Sequence, residues 1–123
     1  MKEVPPGRGA GPARGEIWIV DWSPGRGSEQ MRRRPAVVVQ TDAANRNPRY
    51  PNTIVVTVST KGRDVPTHVR VDPDERNGLA RISYVKCEQV LTISKDRLRR
   101  RLGRLAKDDI ERINGALGIV LAL

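Results

Sequence analysis

The chain contains one cysteine (Cys87), one histidine (His68) and only four large aromatics, Trp18, Trp22, Tyr50 and Tyr84. A single thiol excludes an intrachain disulfide framework, and one cysteine with one histidine supplies too few ligands for a structural zinc site. A two-histidine acid–base mechanism is ruled out for the same reason. Scarce aromatics argue against extended base stacking as a binding mode. No apolar run approaches the roughly 18 residues that cross a bilayer, so a membrane-spanning reading is excluded. The N-terminus has no unbroken apolar stretch of the secretory kind, and the expectation is a cytoplasmic protein.

What is abundant is positive charge. The 123 residues carry 23 Lys plus Arg against 14 Asp plus Glu, a formal net charge of +9, and 18 of the cations are arginine. Guanidinium forks match phosphate oxygens in pairs, whereas lysine acts as a point charge. A polyanion, nucleic acid first, is the expected partner. With 37% hydrophobic residues the chain can build one core, about one domain's worth.

Residues 1–14 hold three prolines and three glycines with little to bury, and read as a disordered leader before a domain over 15–123. Glu16–Trp22 alternates as a strand, with Ile17 and Ile19 on one side and Trp18 and Val20 on the other. A Gly- and Arg-rich loop covers 23–34. Pro35–Gln40 reads as a buried strand, Thr41–Pro51 as a long loop, and Thr53–Ser59 as the strongest strand by β propensity. Further strands are expected at Thr67–Val71, Ala80–Val85 and Glu88–Ile93. The arginine-rich stretch Arg97–Arg104 reads as a solvated face that adds non-specific phosphate attraction. Ile110, Ile113, Leu117, Val120 and Leu121 then recur at helical spacing, with Asp108, Asp109 and Glu111 in the first turns, where acidic groups suit the helix dipole. Short strands followed by one helix predict a mainly β, α+β fold: a small twisted sheet or barrel capped by a helix.

Several stretches carry a resemblance: Arg14-Gly15-Glu16-Ile17-Trp18, Gly27-Ser28-Glu29-Gln30, Arg33–Gln40 (RRPAVVVQ), Asp42 with Asn45-Arg46, Pro66-Thr67-His68-Val69, Cys87–Ile93 (CEQVLTI) and Lys95-Asp96-Arg97-Leu98. Seven motifs in register, covering residues 14–123, resemble the MazF/PemK toxin family. The resemblance implies an SH3-like small barrel of the MazF/PemK/CcdB type and a sequence-specific, metal-independent endoribonuclease of a type II toxin–antitoxin system. It also implies a homodimer, single-stranded RNA as substrate, a MazE-like antitoxin as partner, and no cofactor. A CcdB-like gyrase poison on the same fold is the competing class. That mode relies on a C-terminal Trp-Gly-Ile end, where this sequence reads Leu121-Ala122-Leu123. A non-catalytic RNA-binding barrel is a third reading.

RNA is cut most simply by its own 2′-hydroxyl attacking the adjacent phosphorus, leaving a 2′,3′-cyclic phosphate and a 5′-hydroxyl. That step needs positive charge on the pentacoordinate phosphate, a base for the 2′-OH and an acid for the leaving oxygen. Arg34 closes an arginine run directly before Pro35, and the resemblance assigns it the catalytic role. A guanidinium is a poor proton donor, so its role is electrostatic. The resemblance also implies a catalytic hydroxyl at the end of the third strand. This falls on Ser59 where the family more usually has threonine, with Thr60 the alternative after a one-residue slip. Ser28, Glu29 and Gln30 in the first loop are RNA-contact candidates, Ser28 and Gln30 through hydrogen bonds to base edges and Glu29 as acceptor of the 2′-OH proton or partner that orients Arg34. Asn45 and Arg46 in the next loop, with Ser83 and Gln89 on later strands, are similar candidates by family position. His68 joins them as a further RNA-contact candidate, although a lone strand histidine is more often structural. Cys87 reads as a small buried hydrophobe.

Overall fold

The computed structural model describes residues 11–23 and 32–123. Six strands form one antiparallel sheet: β1 (Glu16–Asp21), β2 (Arg33–Val38), β3 (Asn52–Ser59), β4 (His68–Val71), β5 (Ser83–Ser94) and β6 (Leu98–Arg104). Their order is β4-β5-β3-β2-β1-β6. A one-turn helix α1 (Asp42–Asn45) follows β2, and a longer helix α2 (Lys107–Leu121) ends the fold.

Both faces of the central strands are buried, which is why their sequences run as continuous β-branched stretches. On one face Ile17, Val37, Val56, Val58, Val69, Val71, Val85 and Cys87 pack with Ile113, Ala116 and Leu117 of α2. On the other, Trp18, Val20, Ala36, Val38, Val55, Ile93 and Leu98 form a second cluster. The alternation in β1 divides as expected: Ile17 joins the first cluster, Trp18 and Val20 the second.

The sheet keeps two edges, β4 and β6, and the turn after β4 reaches across the gap between them. Arg104 N–H donates to the Arg76 carbonyl at 2.9 Å. Gly103 has to be glycine here, because a Cβ would fall 2.1 Å from that carbonyl oxygen. Buried Asn77 ties the turn together, accepting from the Asp74 and Leu79 amides and donating to the Asp72 carbonyl. The outcome is a small, partly open barrel with a C-terminal helix, as the strand pattern predicts.

Four details differ from the sequence reading. Residues 11–14, assigned to the leader, are tied to the fold: Arg14 donates from its amide to Asp42 Oδ1, from Nε to the Val39 carbonyl and from a terminal nitrogen to Asn114. The ladder of β2 starts at Arg33 rather than Pro35, pairing Arg34 with Val20, so Arg34 stands on a strand and not in a loop. The expected strands Ala80–Val85 and Glu88–Ile93 are one strand, β5. Val56 pairs with Val90 but Thr57 with Lys86, so Cys87, Glu88 and Gln89 bulge out of the β3 ladder. Finally, Arg97–Arg104 is not merely a solvated face. Apart from Arg97 it is the edge strand β6, paired with β1 and anchored by ion pairs from Arg99 to Asp21 and from Arg101 to Glu16. Arginines on an edge also discourage pairing with other chains.

Candidate active site

Strand register decides which side chains can meet. The paired rows His68–Lys86–Thr57–Ala36–Trp18 and Arg34–Val20 lie on the face opposite α2, because Trp18, Val20 and Ala36 belong to the second cluster. With a two-residue side-chain period, Val55, Thr57 and Ser59 share this face and Val56 and Val58 take the other. Ser59, not Thr60, is therefore the hydroxyl presented beside Arg34. Thr60 lies past the strand end and is exposed.

One cavity of about 510 Å³ opens on this face, bordered by residues Trp22, Arg32, Arg34, Pro35, Thr57, Val58, Ser59, Lys86 and Gln89. The volume suits one or two nucleotides, within the usual range for ligand sites. Among the described residues no ion pair involves Arg32, Arg34 or Lys86, so these three cations face the cavity with no carboxylate paired to them among those residues. Like charges gathered around a concave space favour an anion there.

Trp22 reaches the cavity from the end of β1, where the chain is pinned. Arg97 donates to the carbonyls of Asp21 and Ser23. Hydrogen bonds from the Ser23 hydroxyl and amide, aided by the nearby Arg33 and Arg99 guanidiniums, hold the Asp21 carboxyl down at about 2.

The β5 bulge supplies Gln89. It returns the side chain to the cavity face, where the Thr57 hydroxyl donates to Gln89 Oε1. Bulges commonly re-aim a side chain next to a site in this way.

The remaining candidates fall elsewhere. Ser28, Glu29 and Gln30 lie outside the described residues. Asn45 is only 1% exposed, and its side chain is spent inside the fold. Its Oδ1 accepts from Gln40 Nε2 and Thr53 Oγ1, and its Nδ2 donates to the Gln40 carbonyl. The buried Lys95 ammonium donates to the carbonyls of Ala44, Asn45 and Asn47, closing the C-terminal end of α1, and its burial lowers its pKa. Asn45 is thus a structural node and not a free RNA contact. Ser83 is likewise buried, donating to the Arg81 carbonyl. Arg46 is exposed and loosely paired with Asp42, outside the cavity.

His68 borders the site without lining it. Its Nδ1 accepts the Arg63 amide at 3.0 Å, which leaves Nε2 to donate to Glu88 at 2.9 Å. This fixes the loop between β3 and β4 and occupies the nearest carboxylate to Lys86 in sequence. Burial works to raise the Glu88 carboxyl, but hydrogen bonds from His68 and the backbone outweigh it and leave it below its ordinary 4.5. A depressed carboxyl stabilises the fold fully above its unfolded value and loses that contribution as pH falls through the folded one. The urea midpoint of the wild-type protein should therefore fall more steeply than that of E88Q from about pH 5 to about pH 3. Parallel curves would remove Glu88 from the account. Cys87 is fully buried, and burial with the neighbouring Glu88 charge pushes its thiol up to about 11. It is a core residue.

Sequence reasoning missed Lys86, Thr57, Arg32 and Trp22. Lys86 and Thr57 stand opposite each other on adjacent strands, a relation that only the register reveals.

The fold and cavity together define a class: a small barrel whose open face carries a cationic, hydroxyl-lined cleft suited to a phosphodiester. Comparison with known proteins narrows it. The model of the PemK-like, MazF-like toxins of type II toxin–antitoxin systems matches residues 13–121. The chain is 36% identical over 110 residues to endoribonuclease EndoA of Bacillus subtilis (strain 168), covering 89% of this chain and 94% of that one. It is 35% identical over 114 residues to endoribonuclease MazF of Staphylococcus saprophyticus, covering 89% and 91%. The solved structure of a mycobacterial endoribonuclease in complex with its cognate antitoxin superposes with a TM-score of 0.75 at 29% identity, over 91% of this chain and 96% of that chain. The chain belongs to the PemK/MazF-like toxin family.

Proposed function

We propose that this chain is the toxin of a type II toxin–antitoxin pair, an endoribonuclease that acts in the cytoplasm and cuts single-stranded mRNA at a short recognition sequence. The observation that carries the reading is the meeting of Arg34, Ser59 and Lys86 around one cavity. Relatives at 35–36% identity are named endoribonucleases, which supports the same activity here.

In the proposed reaction the ribose 2′-oxygen forms a bond to phosphorus as the bond from phosphorus to the 5′-oxygen breaks, and the 2′-hydroxyl proton passes to a solvent water acting as base. Arg34 faces the developing negative charge with a fork of donors. Ser59 donates a hydrogen bond to a non-bridging oxygen. Lys86 adds a second positive charge, and its ammonium can hand a proton to the leaving oxygen, which a delocalised guanidinium does poorly. DNA lacks the attacking hydroxyl and is spared. The net charge of +9 suits both RNA and an acidic antitoxin segment. The mycobacterial relative solved with its cognate antitoxin supports such a partner, and assembly as a homodimer completes the proposal.

Incubating the purified protein with a long RNA in EDTA and mapping the ends tests it. Discrete cuts bearing 5′-hydroxyl and 2′,3′-cyclic phosphate ends are expected, and intact RNA would reject the reading. K86M should cut about 10²-fold more slowly, the usual loss for a missing general acid. A substrate whose leaving 5′-oxygen is replaced by sulfur, which departs without protonation, should restore most of that loss. Failure of the sulfur substrate to help would reduce Lys86 to an electrostatic role.

A further inference from the structure

Gln89 reaches the cavity with its carboxamide already oriented. Its Oε1 is only an acceptor, and the Thr57 hydroxyl donates to it. Thr57 is itself fixed: it stands mid-strand on β3, paired with Ala36 on one side and Lys86 on the other. With Oε1 turned toward the sheet, the two Nε2 protons are the group the side chain offers to the cavity. The three-residue bulge at Cys87–Gln89 frees this side chain from the β3 ladder while leaving Thr57 within it.

Resting on the ribonuclease reading above, we infer that Thr57 is a positioning residue that sets base preference, holding Gln89 as a pure donor so that one position of the RNA site selects a keto base over an amino base. Guanine O6 and uracil O4 are acceptors, whereas adenine N6 and cytosine N4 are donors that would confront the Gln89 NH₂. The usual bidentate pairing of glutamine with adenine needs Oε1 and Nε2 both turned to the base. Thr57 withholds the first. Single-stranded RNA leaves these edges open to such reading.

The test compares cut-site profiles on a randomised single-stranded RNA for wild type, T57V, T57S and Q89E. Short substrates that differ only as U against C at the position affected by Q89E then give the ratio of kcat/KM. Wild type should favour the keto base there by about tenfold or more, the scale of one well-made base contact. T57V removes the hydroxyl while keeping the shape, so the amide can rotate and the ratio should collapse toward one. T57S restores the hydroxyl and should restore the ratio. Q89E presents acceptors in place of donors and should tilt the ratio toward the amino base. Preferences at other positions should hold in every variant, which a general loss of structure would not allow.

A wild-type preference for the amino base overturns the inference, as does a T57V ratio equal to that of wild type. Should T57V fail to fold, the Q89E and T57S ratios decide alone. Wild-type protein that cuts nothing overturns the ribonuclease reading itself. Active wild type with an unmoved ratio in T57V overturns only this inference.

Discussion

R34A should lower kcat and kcat/KM together by about 10²–10³, the scale on which a single preorganised transition-state donor is measured. Arg34 stands on β2 opposite Val20, so its backbone is held by the ladder while its exposed side chain lines the cavity with Ser59 and Lys86. Removing an exposed side chain at a strand end should leave stability within about 0.5 kcal/mol. R34K should recover only part of the rate, since a point charge cannot reproduce the two-pronged contact. The measurement is single-turnover cleavage of a defined oligonucleotide, with a denaturation curve as the folding control. Wild-type kinetics in folded R34A would remove Arg34 from the chemistry.

The second large effect is on stability. N45A should cost about 2–4 kcal/mol, because it strips partners from Gln40 Nε2 and Thr53 Oγ1 in a region closed to water. For a small domain whose total stability is roughly 5–15 kcal/mol, that is a sizeable share. Base preference should not change, since Asn45 does not line the cavity. Urea denaturation reads the first effect and cut-site mapping the second. Intact stability with altered cut sites would return Asn45 to the RNA surface.

Asn45 also shows where sequence reading loses its grip. A polar residue in a loop looks the same whether it faces solvent or bonds buried groups, and only the positions of Gln40, Thr53 and Lys95 decide. Where a periodic signal existed, it was legible. The alternation of β1, the β-branched run of β3 and the helical spacing of α2 each reflect a face that must be buried. β6 was hidden because Arg99, Arg100, Arg101 and Arg104 mask a strand that is held by backbone pairing to β1 rather than by an apolar pattern. β5 read as two strands because its bulge breaks the period at Cys87–Gln89. The same break concealed the grouping of Lys86 and Thr57 with Gln89, which the sequence offered only singly: the three are 29–32 residues apart or straddle the irregularity, and no spacing rule links them. Parity along β3 puts Ser59, and not Thr60, on the cavity side with Thr57.

The three residues that loop out of the β3 ladder have a consequence for how this protein can vary. Gln89 is exposed and its backbone takes no part in that pairing, so exchanging it demands no repacking of the interior. On the base-preference inference above, target choice and foldedness would sit on separate dials. A panel of substitutions at this one site should retune which transcripts are cut while melting temperatures scarcely move.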